Sequence, residues 1–303
     1  MTQKKDDDLQ LPSKLDGNDQ VGDWWASNPM TYGNVHGDGE YLGDEQSYEL
    51  GTREMFTKID ETFYAWNKPL HTEKPFGKIF PYEKYKGKKV LEVGCGLGTM
   101  SMNWAKAGAD VTAIDLNQTS IDQTTLRFKT LGLTGTIRQM DANALDFADD
   151  SFDYVYSWGV IHHSPNLKKS LNEIMRVLRP EGEFGIMLYY RPSFLHQYMT
   201  KYIEGFLHYE NRFLGELQLA SRYGDGAREE GNPHTWPITK DEMREMLNPH
   251  TSQISFKLLG TEIDNIFPLI IPGLGDFMST FLKKPWARRF GWSLWTSGQK
   301  KSS

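Results

Sequence analysis

Between about residues 87 and 190 the apolar positions switch back and forth between a period near two and a period near 3.6. The run Val90-Leu91-Glu92-Val93 reads as a strand, and Met100, Trp104 and Ala107 mark a helix face ended by Gly108. "ADVTAIDL" is the next strand, followed by a helix with Ile121, Phe128 and Leu131 on one face and Gly132 as its stop. "GTIRQMD" and "FDYVYSW" are a third and a fourth strand. Leu167, Leu171, Ile174 and Leu178 then mark a helix stopped at "RPEG", and "EFGIMLYY" is a fifth strand. Strands that alternate with helices through short connections imply right-handed crossovers and a parallel sheet covered on both faces.

Outside that stretch the rhythm changes. Residues 1–22 are polar, acidic and rich in turn formers, and read as a loosely attached tail. From Asp23, "DWWASNPMTYGNV" reads as an ordered arm with no regular element, and "GTREMFTKIDETFYAWN" as a helix carrying Met55, Ile59, Phe63 and Trp66. About 60 residues after Tyr190 look helical and then loop-like; Thr239-Lys240-Asp241-Glu242 is a capping box opening one more helix. "ISFKLLGTEI" and "FGWSLWTSGQ" supply two further strands, with an aromatic and proline-rich insertion at 264–288 between them. The expected division is a tail (1–22), an N-terminal arm and helix acting as a lid (23–86), an alternating core (87–190), a cap insertion (191–250), and the closing strands of the core (251–298).

Composition narrows the classes. With 303 residues, 38% hydrophobic content and 24% charged content, the chain suits a globular protein. A net charge of −6 gives no basic field for nucleic acid. The single cysteine, Cys95, cannot form an internal disulfide and points to a reducing cytoplasm. "IFPLIIPGL", broken by Pro268, Pro272 and Gly273, falls well below the roughly 20 apolar residues of a membrane span.

The chemistry gathers after the first core strand. "KVLEVGCGLGTM" places Gly94, Gly96 and Gly98 between a strand and a helix, where a missing Cβ lets a ligand approach backbone N–H groups. A dinucleotide fingerprint would have a third glycine where Thr99 stands, and Glu92 would repel a pyrophosphate but suit an ammonium group. Asp115, ending the second strand, can accept both hydroxyls of a ribose, which NAD and S-adenosylmethionine share. Asp141-Ala142, ending the third, offers an acceptor for an exocyclic amine. These acids fall at successive strand ends, on the one edge of a parallel sheet where ligands bind; the alternative for each acid singly is a helix cap.

The ordered set from "KVLEVGCGLGTM" through "RVLRPEGEF" resembles the class I S-adenosylmethionine-dependent methyltransferases, and within them the ubiquinone and menaquinone biosynthetic group, over residues 87–190. The resemblance implies a Rossmann-like, doubly wound seven-stranded sheet with its last strand antiparallel, and a cap of N-terminal arm and helical insertions. It implies a loop of Glu92, Gly94, Cys95, Gly96 and Gly98 around the methionyl part of the cofactor, Asp115 on ribose, Leu116, Asp141 and Ala142 on adenine, and Ser157 near the methyl group. The expected activity is methyl transfer to a small acceptor that is apolar, planar or cationic. An NAD(P)-dependent oxidoreductase and a non-catalytic binding module are the alternatives.

Methyl transfer from a sulfonium needs alignment and exclusion of water, and a base only when the acceptor must lose a proton. "SWGVIHHS" leaves the fourth strand beside that reaction zone, so Trp158 is a substrate contact and His162 is the candidate base; the alternative for the histidine pair is packing beneath the loop. No spacing matches a metal site. Of Tyr189 and Tyr190, alternation leaves at most one in the pocket. Arg191 pairs either with an acidic substrate or with a carboxylate of the protein. Trp25 and Tyr32 of the arm are pocket candidates or anchors of the arm. Cys95 reads as a small side chain that fits the loop, in preference to a redox sensor. "KKPWARRF" carries a minor possibility of membrane-surface contact.

Overall fold

The computed structural model describes residues 18–27, 51–224, 231–260 and 288–302. Seven strands form one sheet in the order β3-β2-β1-β4-β5-β7-β6. They are β1 (Lys89–Val93), β2 (Asp110–Asp115), β3 (Thr136–Gln139), β4 (Phe152–Trp158), β5 (Leu178–Tyr189), β6 (Thr251–Leu259) and β7 (Ser293–Lys300). β1 pairs in parallel with β2 and β4, β2 with β3, and β4 with β5. β7 runs antiparallel to both β5 and β6, as the doubly wound expectation required of the last strand. The chain order reverses direction across the sheet at β1 and β4, which opens a crevice at their carboxyl ends.

Strand alternation sorts the core into two layers. Leu91 and Val93 of β1 and Val155 of β4 face α5 (Leu167–Val177) and α7 (Lys240–Leu247) in an aliphatic layer. Val90, Tyr154 and Tyr156 face an aromatic layer built from Phe76, Phe80, Trp104 and Trp295, under α3 (Ser101–Lys106) and α4 (Gln118–Leu131).

Side-chain caps set the helix starts. The Thr52 side chain accepts from Met55 N (3.2 Å) ahead of α2 (Arg53–Trp66). Asn117 accepts from Ser120 N (2.7 Å) ahead of α4. The capping box at Thr239 closes both ways, Glu242 N donating to Thr239 Oγ1 (3.2 Å) and Thr239 N to Glu242 Oε2 (2.7 Å).

Three local expectations need correction. The segment read as tail and irregular arm contains a helix, α1 (Asn18–Ser27), with Val21 buried. Trp66, placed on the buried face of α2, is 48% exposed while Met55, Ile59 and Phe63 are buried. The fifth strand starts at Leu178, ahead of "RPEG"; Phe152 pairs with Leu178 and Tyr154 with Glu183, so Arg179–Gly182 form an irregularity inside β5. Tyr32 and the insertion at 264–287 lie outside the described residues.

Candidate active site

The glycine loop turns sharply at the end of β1. Gly94, Gly96 and Gly98 all have left-handed φ, at +83°, +50° and +74°. Gly94 N and Cys95 N both donate to the Ile114 carbonyl (2.8 and 2.9 Å), which fastens the loop to the end of β2. A Cβ at Gly94 would lie 2.4 Å from Val160, whereas a Cβ at Gly96 would meet no atom within 4 Å. The loop therefore presents bare backbone to open space at Gly96. Thr124 of α4 donates to the Gly96 carbonyl (2.8 Å) from beneath. Cys95 is buried with Ala113 and Ile121, and burial pushes its thiol well above the usual range; the side chain packs under the loop.

Asp115 braces the loop. Its Oδ2 accepts from Gly96 N (2.9 Å) and its Oδ1 from Asn117 N and Nδ2 (3.1 Å each). Burial raises this carboxyl, and the N–H groups of Gly96, Asn117 and Leu116 oppose that rise. At the next strand end, Asp141 Oδ1 accepts from Asn143 N (2.8 Å), and Asn143 Nδ2 donates to Ser164 Oγ (2.8 Å), tying this turn to the one after β4. Ala142 packs against the aliphatic layer.

Glu92, two residues before the loop, is 2% exposed, and its Oε2 has no hydrogen-bond partner. Burial pushes its carboxyl up to about 8, against the pull of Ser101 and Tyr156. No cation is among the groups that shift it. An ammonium group is the ligand chemistry such a carboxylate lacks.

α1 lies over this edge. Gly22 approaches Leu116, a Cβ there lying 3.5 Å from Leu116 Cδ2 and Cγ, and the Trp25 ring lies 5.1 Å from that of His163. One helix thus spans from the end of β2 to the turn after β4. Below it, His162 is fully buried between His163 (ring centroids 4.1 Å apart) and Tyr189 (4.0 Å). Neither ring nitrogen of His162 has a partner, and burial with His163 and His234 nearby holds it well below the usual histidine range. His163 does what the alternative reading proposed for the pair: its Nδ1 donates to the His234 carbonyl (2.9 Å).

Several candidates are engaged elsewhere. Ser157 is fully buried and donates to the Val93 carbonyl (2.8 Å), joining β4 to β1 beneath the site. Trp158 packs edge-on to Phe76 (5.0 Å) in the aromatic layer. Tyr190 turns to the aliphatic layer beside Ile238, as alternation required of one tyrosine. Arg191 Nη2 donates to Glu242 Oε1 (2.8 Å) and Nε to the Pro237 carbonyl (3.1 Å), so of its two readings the structure gives the protein carboxylate.

The structure adds residues that no local pattern marked. Trp292 stacks on Tyr189 (4.4 Å, 28°), and His234 and Thr235 return from the insertion against His163. Trp292 stands just ahead of β7, far along the chain, and only the antiparallel pairing of β7 with β5 brings it here.

Comparison with known proteins bears on the domain as a whole. Residues 91–186 match the family described as Methyltransferase domain. A sterol 24-C-methyltransferase of Gibberella zeae is 32% identical over 165 residues, covering 48% of this chain and 43% of that one. Another from Yarrowia lipolytica is 29% identical over 167 residues, covering 49% and 44%. The chain thus spans less than half the length of these curated relatives. A solved SAM-dependent methyltransferase from Methanosarcina mazei superposes with a TM-score of 0.52 at 20% identity, over 74% of this chain and 99% of that one, which speaks to the fold.

Proposed function

We propose, for a chain whose residues 91–186 are a class I S-adenosylmethionine-dependent methyltransferase domain, that it transfers a methyl group to a small, apolar and flat acceptor held beneath α1. The observation that carries the reading is the bare backbone at Gly96, open above and braced by Asp115. A dinucleotide is disfavoured by Thr99 in the third glycine position and by the buried carboxyl of Glu92.

The residues fit the cofactor group by group. Glu92 would take the methionyl ammonium, the remaining lone pairs of Asp115 the ribose hydroxyls, and Asp141 the adenine amine between Leu116 and Ala142. The chemistry supplied there is a methyl carbon activated by sulfonium charge, open to in-line attack. α1 excludes water from that edge. For an acceptor that loses a proton, His162 is the base: burial keeps it neutral at ordinary pH and leaves both nitrogens uncommitted. Arg191 is held by Glu242 and so is not free to pair with an acidic acceptor. The sterol methyltransferase names among the relatives support an apolar acceptor.

Among the described residues no helix is long and apolar enough to cross a membrane. We assign the protein to the cytoplasm, on the single, buried, unpaired Cys95.

The test is parallel calorimetric titration with S-adenosylmethionine, S-adenosylhomocysteine and NADH. Micromolar binding of both adenosyl ligands without NADH binding is expected; tight NADH binding overturns the reading.

A further inference from the structure

The insertion between β5 and α7 carries a surface that methyl transfer does not use. Its helix, Leu195–Leu207, is wound in the wide π form, as in the bond from His208 N to the Ile203 carbonyl (3.0 Å). Phe194, Tyr198, Tyr202 and Phe206 stack along it as a ladder, with ring centroids 5.0, 5.7 and 5.8 Å apart and planes within 27° of parallel. Its outer end is bare. Tyr202 is 46% exposed, Phe206 59%, Leu207 45%, Tyr209 59% and Phe213 84%; the only other large hydrophobics so exposed among the described residues are Trp66 and Leu126. Apolar side chains concentrated this way mark an interaction surface.

The charges select the occupant. Glu204 is paired with His208 (2.8 Å), Glu210 with Tyr223 OH (2.7 Å) and Arg222 (3.7 Å), and Glu216 with His196 (3.0 Å) and Lys201 (3.2 Å). Arg212 sits over the Tyr209 ring (4.8 Å), exposed, with no carboxylate partner among the described residues. Among the described residues the tip thus presents aromatic rings and one cation without a carboxylate partner, while each carboxylate there has a hydrogen-bond or ion-pair partner. A two-fold contact between copies would bring one unpaired Arg212 toward the other. A layer of anionic headgroups over hydrocarbon satisfies both the cation and the rings, since tyrosine combines an apolar body with a polar tip.

We propose that residues 194–213 dock the protein onto an anionic lipid surface. The same helix begins beside the acceptor wall, where His196 stacks over Trp292 (6.2 Å, 23°), so docking sets the insertion between the lipid and the site. The docking itself does not depend on the methyltransferase reading.

The test is co-sedimentation of the full chain with vesicles of phosphatidylcholine, with and without phosphatidylglycerol. The wild type should sediment with the mixed vesicles and lose binding as salt rises. Phe206→Ser with Phe213→Ser should weaken this at least tenfold, and Arg212→Gln about fivefold. All three substitutions lie on exposed side chains, so S-adenosylhomocysteine titration and the melting temperature should stay unchanged, which verifies the fold. Absence of vesicle binding by the wild type, or binding indifferent to the double substitution, overturns the proposal. So does a wild-type dimer that the double substitution turns into a monomer, with no vesicle binding by either.

Discussion

Gly94 and Gly96 stand two residues apart in one loop and should answer the same substitution differently. Both have left-handed φ, which costs a non-glycine residue about 1–2 kcal/mol. At Gly94 the added Cβ also collides with Val160, so Gly94→Ala should lower the melting temperature sharply. At Gly96 it meets nothing, so Gly96→Ala should stay folded yet lose at least tenfold in cofactor affinity, because the new methyl occupies the approach to the backbone. Equal affinity for S-adenosylhomocysteine in Gly96→Ala would remove the central support for the site. Glu92 makes a second prediction. Its carboxyl is held up at about 8, and an ammonium ligand needs it ionised. Affinity should rise with pH toward about 8, then fall as the ligand's own α-amine deprotonates near the same value. Glu92→Gln should lose the rising limb and keep the falling one. Residues such as Glu92, Gly96 and Asp115 were legible in the sequence because a ligand loop and its strand are local. Asn143, Thr124 and Trp292 were not, because each joins the site through a contact between distant segments.

Among the elements, those with both a periodic face and a cap were read nearly to the residue, as with α7 and its box at Thr239. α1 was missed for a physical reason. "NDQVGDWWAS" contains Gly22, a poor helix former, and its helix is stabilised by lying against Leu116, a contact between distant segments. β5 was started late because "RPEG" looks like a stop, while the chain absorbs it as an irregularity within the strand. The contact between α2 and α4 carries its own prediction. Arg127 is fully buried, donates to Asp60 (2.6 Å) and lies over the Phe56 ring (4.5 Å), with Nε and Nη2 lacking partners. Removing the carboxylate strands a buried guanidinium, so Asp60→Ala should cost about 3–5 kcal/mol. Urea denaturation should show a lower midpoint at unchanged slope. Adding Arg127→Met should recover most of the loss; additive losses instead would show that the pair is not coupled.

For the whole molecule, stability against pH is set by buried groups drawn from distant parts of the chain. Glu92 is protonated in the fold up to about 8 but only to 4.5 in the unfolded chain. The folded state thus holds one extra proton in that window, and stability falls as pH rises through it. His162 and His234 act in the opposite sense. Both ionise near 6.5 when unfolded, while burial holds His234 down at about 4 and His162 well below the usual range. Their contribution is complete above 6.5 and declines as pH falls below it; His71 and His250 shift the same way. On the alkaline side of 6.5 Glu92 acts without the histidines, so stability should rise as pH falls from about 8. On the acid side the protons of the buried histidines outweigh the one on Glu92, and stability should fall, by about 1.4 kcal/mol per pH unit for His162 and His234 set against Glu92, with His71 and His250 adding to the fall. The expected profile is therefore a dome with its top near 6.5, measurable by urea denaturation across pH. Replacing both His162 and His234 with Gln removes the two most strongly shifted of the opposing groups, so the maximum should move to lower pH; a profile that stays put in that variant would show that these histidines do not titrate as the buried geometry requires.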